Sequence, residues 1–160
     1  MQDTTPGLEI DVAQRVAERA RDAMMRNDHA SRALGIDIVS VGPGTSRAAM
    51  TVREDMLNGF AICHGGLITT LADSAFAFAC NAYNEVTVAA GVSIDFLAPA
   101  RLGDRLEAEC RERALGGRTG VYDVTVRNQR GEDIALFRGR SHRMKGRTVF
   151  DPAEQGPPRD

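Results

Sequence analysis

Apolar residues recur at three- and four-residue steps from Asp11 to about Asn27, at Val12, Val16, Ala20, Ala23 and Met24, with Arg15, Glu18, Arg19 and Asp22 between them. That period predicts an amphipathic helix. Asp11 is placed to cap it, and Gln14 three residues later completes a loose capping box. The pattern then changes to strands. β-Branched runs at 36–41 and 45–52 flank the turn Gly42-Pro43-Gly44, which predicts a β-hairpin. Residues 65–81 form a second helical stretch, and 86–99, 104–115, 119–129 and 133–144 read as four strands punctuated by RLG, GGR and RGE. The run DRLEAECRERAL has the composition of a helix. Its alternation, with Leu106, Ala108, Cys110 and Glu112 on one side and Arg105, Glu107, Glu109 and Arg111 on the other, is that of a strand.

One long helix between a hairpin and four successive strands is an α+β pattern, with the helix covering one face of an antiparallel sheet. The other face then needs cover too, and self-association supplies it most simply. At 160 residues the chain fits one domain, able to bury about 70% of the surface its unfolded form exposes. No internal repeat divides it. A net charge of −2 gives no global attraction to nucleic acid or to an anionic membrane, so an anionic ligand must be held by a local patch. Cys63, Cys80 and Cys110 form no CxxC pair and read as reduced thiols. The start MQDTTPGLEI has neither the basic nor the apolar segment of a secretory signal, and no run reaches the ~18 apolar residues of a spanning helix. These features together predict a cytoplasmic protein. His29, His64 and His142 lie far apart without metal-ligand spacing. The last ten residues, DPAEQGPPRD, are expected to be disordered.

Asp73 interrupts this picture. In GGLITTLADSAFAFAC the apolar positions point in every direction around the axis, which predicts a helix buried nearly everywhere. Aspartate is a poor residue for a helix interior, and a buried carboxylate is costly unless paired. Either it faces a solvent strip beside Thr69 and Thr70, or it is a buried acid with a use. The preceding NGFAICHGG favours the second reading. It sets an amide, an imidazole and two glycines where the chain turns into the helix. Glycines let a ligand approach the backbone, and the first N–H groups of a helix lack internal partners and carry the positive end of its dipole. Such an arrangement can polarise a carbonyl oxygen.

NGFAICHGGLITTLADSAFAFACN, together with GVSIDFLAPARLGDRL, GRTGVYDVTVRNQ and IALFRGRSHR, closely resembles the hotdog-fold acyl-CoA thioesterases of the phenylacetate-degradation type, over about residues 30 to 146. The resemblance implies a long helix wrapped by a curved antiparallel sheet. It implies dimers formed by edge pairing, often stacked into tetramers, and hydrolysis of acyl-CoA thioesters without a cofactor, CoA being part of the substrate. It divides the chain into an N-terminal helix at 1–30, a hotdog domain at 31–146 and a flexible tail at 147–160. Asp73 falls on the family's nucleophile or general base, and Gly65 on the donor to the thioester carbonyl. Asn58 and His64 match loop positions that orient the reacting groups, and Ser93 a position that in related members helps place the attacking water. An aryl-acetyl group or something similar is the implied acyl group.

Gly65 and Asp73 are eight residues apart, about 12 Å along a helix, whereas reacting groups must come within about 3.5 Å. If both roles hold, they come from two subunits whose helices run antiparallel. Arg138, Arg140 and Arg143, with Lys145, cluster at the end of the last strand as candidates for the CoA phosphates, the plain alternative being solvated surface charge. Gly66 is a second candidate contact to substrate. Cys63 beside His64 suggests a cysteine hydrolase, but neighbours in a loop seldom put thiol on imidazole. A hotdog-type hydratase or dehydratase would pair a histidine with the acid. A non-catalytic acyl-CoA sensor would carry a DNA-binding or partner module, and no basic helix-turn-helix pattern precedes residue 30.

Overall fold

The computed structural model describes residues 6–153. In chain order it contains α1 (Pro6–Met25), α2 (His29–Ala33), β1 (Asp37–Gly42), β2 (Thr45–Thr51), a single 3-10 turn (Glu54–Met56), α3 (Gly65–Cys80), β3 (Thr87–Phe96), β4 (Arg105–Gly116), β5 (Thr119–Arg127) and β6 (Asp133–Arg143). The strands make one antiparallel sheet in the order β1-β2-β4-β5-β6-β3. The chain leaves β2 near one edge, runs along α3 and returns as β3 at the opposite edge. α3 touches all six strands, so the sheet curls around it.

Period-two patterning puts the apolar side of each strand against the helix. In β4, Leu106, Ala108 and Cys110 are fully buried while Arg105 and Arg111 are exposed, as the alternation predicts. Leu71, Ala72, Ala75 and Phe76 of α3 pack into the same core. The Phe76 ring lies 5.4 Å from that of Tyr122 and 5.9 Å from that of Phe137. A Cβ on Gly139 would stand 2.8 Å from the Phe76 ring, so a glycine in β6 is what admits it. The hairpin turn is Pro43-Gly44, with Gly44 at φ +65°, where glycine carries no steric penalty.

α1 begins earlier than the periodicity suggested, so Asp11 is an interior residue paired with Arg15 one turn on, not an N-cap. Gln14 closes no capping box. Its amide donates to Glu18 (2.9 Å) and to the Val41 carbonyl (2.8 Å), fastening α1 to the outer edge of β1. α2 was not foreseen; Asp28 caps it by accepting from the Ser31 N–H at 2.9 Å. At the other end, the Asn84 side chain bonds both the N–H (2.9 Å) and the C=O (3.1 Å) of Phe150, and Arg19 lies over the Phe150 ring. Of the tail expected to be disordered, 154–160 lies outside the described residues.

The second sheet face, for which the element pattern predicts a need for cover, is largely charged. That face carries ion pairs, including Arg138–Asp123 and Arg127–Asp133, both at 2.7 Å. The edge strand β3 carries three exposed large apolar residues, Val88, Val92 and Phe96, at 48%, 46% and 52%. An unpaired edge of this length and apolarity is a template for another strand.

The connection from β3 to β4 is held by Asp104, whose carboxylate accepts from the Arg101 N–H, the Gln129 amide and the Arg130 guanidinium, each at 2.9 Å. The Arg130 hydrogen bond is the main reason its pKa is held down to about 2. Since the unfolded value is about 4, this group stabilises the fold above pH 4 and loses that contribution as the pH falls toward 2. Asp104→Asn is expected to lower stability at pH 7 by about 1–2 kcal/mol. In thermal melts across pH, the gap from the unsubstituted protein should close between pH 4 and 2; a pH-independent gap would exclude the charge as its cause.

Candidate active site

The loop that delivers the chain to α3 is tightly organised. Asn58 Oδ1 accepts from the N–H groups of Phe60 (2.9 Å) and Ile62 (3.4 Å), and the Asn58 N–H donates to the Ile62 carbonyl at 2.8 Å. The turn forces Ala61 to φ +57°, which costs a non-glycine residue about 1–2 kcal/mol. His64 is the N-cap: its Nδ1 accepts from the Gly66 N–H at 3.0 Å. Its carbonyl takes the N–H groups of Leu67 and Ile68. Among the described residues this leaves the Gly65 N–H as the first-turn donor without a partner. It is free at the positive end of the helix dipole.

Beside that donor lies a pocket of about 520 Å³. Gly65 and Ile68 form its floor, and the loop residues Asn58 and Ile62 one wall; the segment from Phe96 to Ala100 forms the other. The walls are joined by a hydrogen bond from the Cys63 N–H to the Ala100 carbonyl (2.8 Å). No charged side chain lines it.

Asp73 lies elsewhere. The expectation that α3 is buried on every side fails along one strip, where Gly66 and Asp73 are exposed and Thr69 and Thr70 partly so. The strip survives because the sheet wraps the helix incompletely and β3 is the last strand. Asp73 opens into a groove of about 330 Å³ shared with Thr69, Thr70 and the stretch Ala89–Val92 of β3, where a bulge interrupts the pairing with β6. The two threonine hydroxyls are committed to the carbonyls of Gly65 (2.8 Å) and Gly66 (2.9 Å). The carboxylate therefore has no hydrogen bond or ion pair among the described residues. Although it reaches solvent, partial desolvation raises its pKa above the ordinary aspartate value.

One chain thus holds a free N–H with an apolar pocket and, two helical turns on, an unpaired acid in a separate groove. The structure brings Asn58, His64, Gly65 and Gly66 together and leaves Asp73 apart from them. Ser93 joins neither group. It is paired with Arg138 on the ion-paired face of the sheet, because after the bulge Val92, Ile94 and Phe96 take the helix side. Of the proposed phosphate contacts, Arg138 grips Asp123 through two bonds (2.7 and 2.9 Å). Arg143 pairs with Glu85 at 2.6 Å and lies over the Tyr83 ring. Arg140 stands on the outer face against Gly91 without an acid partner among the described residues. Burial raises the Cys63 thiol pKa, its sulfur is 3.8 Å from the His64 carbonyl oxygen, and the His64 Nδ1 is occupied by the cap. That is no thiolate–imidazole pair. Sequence reasoning missed Phe96 and Leu97, although the alternation at Val92, Ile94 and Phe96 already placed an aromatic at the end of β3 on the helix side.

The sequence profile of the thioesterase superfamily matches residues 60–135. The acyl-coenzyme A thioesterase PaaI of Escherichia coli (strain K12) is 49% identical over 124 residues, which are 78% of this chain and 89% of that protein. The structure of the E. coli PaaI protein from the phenylacetic acid degradation operon aligns with a TM-score of 0.83 at 46% identity, covering 85% of this chain and 98% of that one. A Streptococcus mutans UA159 protein solved with bound acetyl CoA aligns with a TM-score of 0.68 at 30% identity, over 71% of this chain and 91% of that one. These matches carry the hotdog thioesterase fold.

The raised pKa of Asp73 has a consequence for stability. A carboxyl whose folded pKa exceeds its unfolded value favours folding most when protonated, below the unfolded pKa, and loses that advantage as pH rises through the folded pKa. Asp73→Asn, which cannot ionise, should therefore melt at the same or a higher temperature than the unsubstituted protein at pH 7. The difference should shrink as the pH falls through the carboxyl range. A variant that melts lower at pH 7 would show that the carboxylate is held by a stabilising partner.

Proposed function

We propose that this chain, which belongs to the thioesterase superfamily, hydrolyses acyl-CoA thioesters, with aryl-acetyl or similar acyl groups, at sites shared between two subunits. The observation that carries the reading is the partition of α3, with a free Gly65 N–H at its start and an unpaired Asp73 two turns later. About 12 Å of helix separates them, too far for one carbonyl carbon to meet both within one chain. A second copy paired along the open edge of β3 and running antiparallel would set its Asp73 opposite this Gly65. Its exposed Val88 and Val92 suit such a dimer; stacking of two dimers is a further step.

In this arrangement the thioester carbonyl oxygen accepts from the Gly65 N–H, and the acyl group occupies the uncharged pocket. Negative charge builds on that oxygen as the carbon becomes tetrahedral, so the donor acts most strongly in the transition state. Asp73 of the other subunit has two ways to act. It attacks the carbonyl carbon, expelling CoA thiolate and leaving a mixed anhydride that water hydrolyses, or it takes a proton from water as that water attacks. A carboxylate with a raised pKa is a stronger base so long as it stays ionised. Asn58 acts indirectly, through the loop it holds, and His64 fixes the first turn by occupying the Gly66 N–H.

Asp73→Asn is expected to fold and assemble while kcat falls by at least ~10²-fold; near-normal turnover would remove Asp73 from the mechanism. Label found in the Asp73 carboxylate after a single turnover in heavy-oxygen water establishes the anhydride route, since only attack of water on the aspartyl carbonyl of an anhydride puts it there. The shared site is tested by mixing. Asp73→Asn and Asn58→Ala homodimers are each impaired at both sites, but a co-refolded heterodimer gathers both defects in one site and leaves the other intact. Activity above the mean of the parents is the expected result. Verified heterodimers at that mean would confine the site to one chain.

A further inference from the structure

A Cβ built on Gly65 would meet three atoms of one ring, Phe96 Cζ at 2.9 Å and Cε1 and Cε2 at 3.3 Å. Nothing else is as near. Gly65 is not among the residues with positive φ, so its backbone conformation does not demand glycine. What demands it is Phe96. The ring comes from β3, where Phe96 pairs with the buried Ala135 of β6, and it reaches the helix terminus because the strand ends there. The Leu97 N–H donates to the Ile134 carbonyl at 2.8 Å, fixing the strand end from which the ring projects.

We propose that Phe96 is a specificity-determining residue: its ring, seated against the Gly65 peptide, is the surface on which an uncharged, apolar acyl group packs when the thioester carbonyl lies at the Gly65 N–H. This rests on the thioesterase reading above. Three observations support it. Phe96 and Gly65 line the same pocket, so a group entering beside the donor meets the ring. Phe96 is 52% exposed, an apolar area larger than a residue with only core duties presents. The remaining walls, Ile62, Ile68, Leu97 and Pro99, offer no counter-charge to a carboxylated acyl group, so desolvating such a group there would be unfavourable. An acetyl group, with a single carbon beyond the carbonyl, gains little from the ring, whereas a phenylacetyl group can stack on it.

The test measures kcat/KM for phenylacetyl-, hexanoyl-, succinyl- and acetyl-CoA in the full-length protein and in Phe96→Ala, with affinity for phenylacetyl thioether-CoA and for CoA itself by calorimetry. In Phe96→Ala the ratio of kcat/KM for phenylacetyl over acetyl should fall at least tenfold, chiefly through KM. Affinity for the thioether should fall in parallel while affinity for CoA stays within about threefold. An active Phe96→Ala protein with an unchanged ratio and unchanged thioether affinity overturns the proposal and leaves the thioesterase reading standing. A wild-type protein that hydrolyses none of the four yet binds the thioether through Phe96 overturns the thioesterase reading alone. One that neither hydrolyses nor binds overturns both. A second pair of variants tests the contact itself: Gly65→Ala should lose activity on every substrate because its methyl clashes with the ring and shifts the Gly65 N–H, and Gly65→Ala/Phe96→Leu should recover at least tenfold of that loss on acetyl-CoA. Failure of Phe96→Leu to rescue would show that the glycine is required for a reason other than the ring.

Discussion

Burial of α3 is the constraint on which the rest of the molecule depends. Leu71, Ala72 and Ala75 are fully buried and Phe76 and Phe78 nearly so, and each large side chain removed from water contributes about 1.5–3 kcal/mol. To bury so apolar a helix, the sheet must curl until every strand reaches it. An antiparallel sheet of six strands does this around most of the helix and stops short along one strip. Both features of the candidate site are consequences of that shortfall. The helix N-terminus emerges between two loops with its first N–H unspent, and Asp73 occupies the strip that no strand covers. A sheet that closed fully would have left Asp73 buried and unpaired, which is far more costly than its present position.

The two sheet edges are treated differently. α1 fastens to the outer side of β1 through the Gln14 amide and the Val41 carbonyl, so that edge is occupied. β3 is left open, and apart from Ser93 and Asp95 its exposed side chains are aliphatic or aromatic rather than the lysines and prolines that commonly blunt an edge. The broad face opposite α3 is laced with arginine–carboxylate pairs. In the proposed dimer, growth of the sheet would be directed to one edge, and a one-edged unit would close as a pair rather than extend into a fibre. The same edge strand carries the groove of Asp73 in its middle and Phe96 at its end, so the proposed association and the pocket would draw on one segment.

Much of this was legible in the sequence, because the signals were periodic. The strict alternation of DRLEAECRERAL outweighed its helical composition, and the Gly-Pro-Gly turn marked the hairpin. The order of elements around α3, and the glycines at its start, followed from the same kind of reading. What the sequence misled on is also physical. Asp11 and Gln14 have the spacing of a capping box, but spacing cannot reveal that the helix already began at Pro6 and that Gln14 had a carbonyl to bond across the fold. The apolar residues of α3 surround its axis, yet Ala77, Thr70 and Gly66 are too small to demand cover, and counting directions overstated the burial of Asp73. Ser93 faces away from Asp73 because of a single extra residue at the Ala89–Gly91 bulge, since one residue in a strand reverses every side chain beyond it. Arg138 and Arg143 have acidic partners on other strands or loops, which no local pattern announces.

In the shared site proposed here, association would act on Asp73 in two opposing ways. Covering the groove removes water from a carboxylate that is already partly desolvated, and that pushes its pKa further up. The facing Gly65 terminus of the other subunit brings the positive end of a helix dipole and an unpaired N–H, and these favour the charged form. The balance is asymmetric in a useful sense. Desolvation acts whether or not substrate is bound, whereas the Gly65 N–H is withdrawn from the carboxylate once a thioester oxygen occupies it. Binding of substrate would then raise the basicity of Asp73 at the moment it is needed, and charge passing from the carboxylate to the new oxyanion would move toward the donor. A lone acid without a hydrogen-bonding partner of its own is what this sequence of events requires, and it is what α3 presents.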